Sequence, residues 1–136
     1  MKRYDYFEHD ADIGIIGRGE TLEAAFVSAA EALFAIMGEP GEAALDVALA
    51  FEFEESDVEL ALVRWLNLLI AHAQSRFLLP GRFELKREGT RWQARAWGTP
   101  WRDTIERGVE VKGATLTMLA VETKPDGFEA RCVVDV

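Results

Sequence analysis

Cysteine is almost absent from this chain: Cys132 is the only one among 136 residues. No intramolecular disulfide can form, and no Cys/His pair has the spacing of a zinc site. Cationic residues are scarce beside anionic ones, 15 Lys and Arg against 24 Asp and Glu, for a formal net charge of −9. Tight autonomous binding to nucleic acid needs clustered Lys and Arg to neutralise phosphates, so any RNA affinity should be weak and salt-sensitive. A protein or a cation fits better as partner. Apolar runs are short, none approaching the ~18 residues of a membrane span, and MKRYDYFEHD lacks the apolar stretch of a secretion signal. The expectation is a soluble, cytoplasmic protein. Also missing are a GxxxxGK[ST] phosphate loop, a GxSxG elbow and an HExxH pair. The glycines of Gly14-Ile15-Ile16-Gly17-Arg18-Gly19 fall short of the dinucleotide fingerprint. No repeat or Pro/Gly/Ser-rich linker divides the chain, which predicts a single domain over residues 1–136.

What is present is a regular pattern of strands and two helices. Tyr4 to Glu8 and Ile13 to Arg18 read as strands. TLEAAFVSAAEALFAIMGEP reads as an amphipathic helix capped by Thr21, with Leu22, Ala25, Phe26, Ala29, Leu33 and Met37 on its core face and a stop at Gly38 and Pro40. Leu45, Val47, Leu49, Phe51 and Phe53 alternate with small or acidic residues, as in a half-buried strand. Ser56 and Glu59 have capping-box spacing ahead of a second helix, apolar nearly all round, that runs to about Gln74. Beyond Pro80-Gly81, two runs around Glu88-Gly89-Thr90 predict a hairpin, TPWRDTIERG is irregular, and Lys124-Pro125-Asp126-Gly127 turns a last hairpin. The fold class is α+β, two amphipathic helices packed on one side of a mixed, mostly antiparallel sheet.

Most polar and aromatic residues have structural readings. Cys132 alternates with apolar residues and should be a small core side chain, and His72 on an apolar helix should be a packed histidine. Trp92, Trp97 and Trp101, interleaved with Arg91, Arg95 and Arg102, could stack bases or cations, but core aromatics beside solvated arginines are the plainer reading. The exception is EHDADIGIIGRG, where His9, Asp10 and Asp12 crowd the mouth of a strand. The chain ends one residue after Asp135, so the carboxylates of Asp135 and Val136 lie together. If that last strand ends beside the first ones, Asp12, Asp135 and Val136 would make an all-oxygen cage for a hard cation, Ca²⁺, Mg²⁺ or Mn²⁺. Solvated charge at strand ends is the alternative.

His9-x-Ala11-Asp12-Ile13-Gly14-Ile15, Gly19, the TLEAAF helix, DVELALVRWLNLLIAHAQ, Gly98-x-Pro100, Val111-Lys112-x-x-Thr115 and the ending xARxxxDV together resemble the archease family over nearly the whole chain. Archeases are accessory proteins of the RNA ligase that joins tRNA exon halves; they promote its Mn²⁺-dependent activation by GTP and its repeated turnover. The resemblance implies that Asp12, Asp135 and Val136 bind a divalent cation, calcium by preference, with manganese or magnesium as alternatives. It implies that His9 supports the site, that Lys112 faces the ligase, and that the chain is not itself an enzyme. The chain departs from the family pattern at Asp10, at Thr99 in place of Glu, and at Leu116-Thr117 in place of a Tyr-His pair. Two other classes stand beside this one: a metal-dependent hydrolase using Asp12 and Asp135, and a protein-binding chaperone without metal function.

Overall fold

A computed structural model describes residues 3–136. Eight strands and two helices follow one another as β1 (Tyr4–His9), β2 (Asp12–Gly19), α1 (Leu22–Met37), β3 (Val47–Glu54), α2 (Val58–Ser75), β4 (Leu78–Glu88), β5 (Arg91–Pro100), β6 (Gly113–Ala114), β7 (Ala120–Lys124) and β8 (Gly127–Asp135). The α+β class and the two helices are as expected. The sheet differs. Every pairing among the described residues is antiparallel, and the strands divide into two sheets. In the five-stranded sheet the order is β1-β2-β8, with the short β6 and β7 both on the far side of β8; in the three-stranded sheet it is β3-β5-β4. The cause is chain economy: β1–β2, β4–β5 and β7–β8 are tight hairpins, each joined by two residues, and such turns give antiparallel neighbours only. Gly89 opens the β4–β5 turn at φ +62°, a conformation that glycine takes without strain.

Helix α1 lies between the sheets, against β2 and β8 of one and β4 of the other. It can come this close to β2 because Gly17 has no side chain: a Cβ there would sit 2.3 Å from the Ala25 carbonyl oxygen and the Ala29 nitrogen. The alanines of α1 serve the same fit. Burial extends beyond the expected stripe, taking in Ala30, Ala32 and Phe34, because the helix has a sheet on either side. Thr21 is the cap, its hydroxyl accepting from the Ala24 amide at 3.1 Å.

At α2 the cap is one residue later than expected. Asp57, not Ser56, accepts from the Glu59 and Leu60 amides at 2.9 and 3.0 Å, and a carboxylate also suits the positive end of the helix dipole. Asp57→Ala should therefore cost about 1 kcal/mol in a urea denaturation curve, and Ser56→Ala no more than about 0.3 kcal/mol. Trp65 ties the helices together by donating Nε1–H to the Phe26 carbonyl at 2.9 Å. His72 stacks on Phe51 with ring centroids 4.8 Å apart, the packed histidine that its helix implies.

Candidate functional site

The β1–β2 turn consists of Asp10 and Ala11, since His9 pairs with Asp12. Asp10 takes φ 52°, a left-handed conformation that Asp tolerates better than most residues, and its side chain is almost fully exposed. Turn geometry thus accounts for an acidic residue at this position. His9 Nδ1 stands 3.9 Å from the Asp10 carboxylate. On the other side of β2 the register with β8 runs to Ile13 opposite Val134. Asp12 and Asp135 are the next residues of the two strands. The last residue of the fold meets the start of β2 there: the Val136 amide donates to Asp12 Oδ1 at 3.2 Å.

The neighbouring segment completes this sheet end. Gly113 pairs with Asp135, and the Lys112 amide donates to the Asp135 carbonyl at 2.8 Å. Lys112 is exposed, and its ammonium has no carboxylate within 4.0 Å among the described residues. Sequence reasoning missed the residue that holds this segment. Asn67 on α2 grips Ala114 at both ends, its Oδ1 accepting from the Ala114 amide at 2.8 Å and its Nδ2 donating to the Ala114 carbonyl at 3.2 Å. The available signal was an amide side chain in the middle of an apolar helix. Thr115 adds a hydroxyl bond to the Val133 carbonyl at 2.8 Å.

The fold therefore brings Asp12, Asp135 and Val136 to one end of one sheet, with His9 beside Asp12 and the Lys112 backbone beside Asp135. Among the described residues no three His, Cys, Asp or Glu side chains converge. A cation here would use the two side-chain carboxylates, an oxygen of Val136 and water. Such a donor set is all-oxygen and anionic, which fits a hard ion. Asp12 spends one lone pair on Val136 and keeps the others.

The remaining candidates lie elsewhere. Cys132 is buried on β8, and burial pushes its thiol up to about 12, so it is no nucleophile at neutral pH. Thr99 is sealed in β5 of the three-stranded sheet opposite Leu79. Leu116 and Met118 stand exposed in the loop before β7, where the Thr117 carbonyl accepts from the Val133 amide. Trp92 is a core residue, while Trp97 and Trp101 keep partial exposure.

Among the described residues no helix is long and apolar enough to cross a membrane.

Known proteins give the same outline. The chain is 33% identical to the protein archease of Sulfolobus acidocaldarius over 139 residues, and 34% identical to that of Pyrococcus abyssi over 142, with the whole of each chain covered. The solution structure of Methanobacterium thermoautotrophicum protein 1598 superposes with a TM-score of 0.89 at 27% identity over all of both chains. The crystal structure of an archease, possible chaperone, from Thermotoga maritima shares the fold with a TM-score of 0.68 at 23% identity, covering 96% of this chain and 94% of that one. Residues 4–136 match the model of the archease protein family (MTH1598/TM1083), and with the shared fold and the full-length relatives this places the chain in the archease family.

Proposed function

We propose that the chain is a non-catalytic accessory protein of an RNA ligase, which binds a divalent cation through Asp12, Asp135 and Val136 and promotes the ligase's Mn²⁺-dependent guanylylation by GTP in tRNA splicing or RNA repair. The observation that carries the reading is the bond from the Val136 amide to Asp12, which brings Asp12 together with Asp135 and Val136 at one sheet end. A bound cation supplies positive charge that triphosphate oxygens can share. The chain's own groups do the rest. Asp12 fixes Val136, Asn67 fixes the segment beside Asp135, and Lys112, whose amide holds the Asp135 carbonyl, offers an exposed positive charge at this end of the sheet. The net charge of −9 suits approach to a cation-lined ligase centre.

Lys112→Ala should weaken ligase activation while changing stability by no more than about 0.5 kcal/mol, as for a surface residue. The assay is guanylylation of the ligase by labelled GTP with and without this protein. Faster labelling with wild type and slower labelling with the variant support the reading; no effect of the wild type would refute it. A second reading, a chaperone without metal function, draws on the exposure of Leu116 and Met118, 63% and 55%, and on the description of the Thermotoga maritima relative. It predicts activation that is indifferent to Asp12.

A further inference from the structure

One end of the outer face of the three-stranded sheet gathers guanidinium groups around an open indole. Trp97, on the central strand β5, is partly exposed, with Ala48 of β3 opposite on one side and Arg82 of β4 on the other. The Arg82 guanidinium lies 4.4 Å from the indole centroid and that of Arg95 lies 5.5 Å from it. Arg76 reaches the same row from the end of α2, donating to the Ala48 carbonyl at 2.8 Å. Just past the end of β5, Trp101 carries the Arg107 guanidinium at 4.0 Å.

Arg82 and Arg95 share one open indole and, like the exposed Arg64, Arg87 and Arg102, are not engaged by carboxylates among the described residues. Arg3, Arg18, Arg91 and Arg131 are neutralised by carboxylates. Arg76, Arg82, Arg95 and Arg107 have none within 4.0 Å among the described residues. The acidic neighbour on the row beyond is Glu84, opposite Arg95, and it pairs with Lys86 instead. Opposite Trp97 and Arg95 on β3 stand Ala48 and Ala50, exposed and too small to cover them. Structural need does not explain an open indole set among unneutralised guanidinium groups.

We propose that this face binds single-stranded RNA. Guanidinium donors not engaged by carboxylates suit phosphate oxygens, and planar indole and guanidinium faces on an open sheet suit unpaired bases. Charge complementarity is local: Arg76, Arg82 and Arg95 gather around Trp97, while Glu52, Glu54, Glu84 and Glu88 lie along the rest of the same face, so the attachment is weak alone and strongly salt-dependent. It adds to RNA already held by a partner and stands apart from the carboxylate end, since it uses a different sheet and needs no metal.

The test is fluorescence anisotropy of labelled oligouridylate of about 12 nucleotides at about 50 mM salt, with a duplex of the same length and a polyglutamate peptide as further arms. Saturable binding of the single strand is expected, at least about fivefold tighter than duplex or peptide. The double variant Arg82→Ala, Arg95→Ala should bind about tenfold more weakly and flatten the logarithmic salt dependence by about 0.7 for each phosphate no longer neutralised. Arg82→Lys with Arg95→Lys keeps the charge, so the salt dependence should hold while affinity falls severalfold through loss of the planar groups. If the alanine pair fails to fold, the lysine pair carries the test. Absence of binding, equal affinity for peptide or duplex, or variants that bind as well as wild type would each overturn the proposal.

Discussion

Trp92→Ala should lower the free energy of unfolding by about 4 kcal/mol, the cost of deleting a large buried aromatic side chain. Trp92 is fully buried and lies between Phe26 of α1 and Phe53 of β3, with ring centroids 5.4 and 5.8 Å away and planes within 2° of parallel. The indole therefore joins helix and sheet at the level where α1 crosses the three-stranded sheet. It also donates Nε1–H to the Glu55 carbonyl at 3.0 Å, fixing the chain between β3 and α2. Truncation empties the stack and leaves that acceptor unpaired. Trp92→Phe keeps a ring in the stack and should lose roughly half as much, about 2 kcal/mol. Guanidinium denaturation followed by circular dichroism measures both. Trp97→Ala, at a partly exposed position, should cost far less, and equal losses at the two positions would show that the outer indole is structural.

The second large effect concerns Asp12. With two side-chain carboxylates and an oxygen of Val136, cation affinity should resemble that of weak oxygen sites, with Kd of about 0.1 mM. Calcium or manganese at about 10 mM would then stabilise the native state by about 2.7 kcal/mol through mass action, a rise in Tm of about 8 °C for a domain of this size. Asp12→Asn, with affinity at least about tenfold weaker, should remove about half of that rise or more. The amide oxygen of Asn can still accept from the Val136 amide, so the strand ends stay together while one charge is lost. Without cation the variant should be as stable as wild type or slightly more so, because it removes one of a group of neighbouring like charges. Differential scanning fluorimetry with and without cation separates this signature from simple damage to the fold, which would lower Tm in both conditions.

Legibility in the sequence depends on the range of the interactions involved. Local chemistry is legible: the Thr21 cap, the hairpins at Gly89-Thr90 and Pro125-Asp126, and the burial of Cys132 follow from neighbours in the chain. The start of the second helix differs by one residue because Ser56 and Asp57 are both good caps, and only the backbone chooses between them. The division into two sheets is not legible. It depends on α1 lying between β2 and β4, which Gly17 and the alanines permit but no periodicity announces. The meeting of Asp12 with Val136 is expected from chemistry and from resemblance, and the register of β2 with β8 supplies the geometry. Asn67 escapes notice because its two bonds cross 47 residues of sequence.

The central claim is that Asp12, Asp135 and Val136 act together as a cation site. Isothermal titration of calcium and of manganese into wild type, Asp12→Asn, Asp10→Asn and a form whose Val136 carboxylate is converted to an amide measures it directly. One site is expected in wild type and Asp10→Asn with similar Kd, and affinity weakened at least about tenfold in the Asp12 and amide forms, the loss that follows when one of few anionic ligands is removed. Equal affinity in all four proteins, or no heat of binding in wild type, would contradict the claim and leave the carboxylates as solvated charge at a strand end.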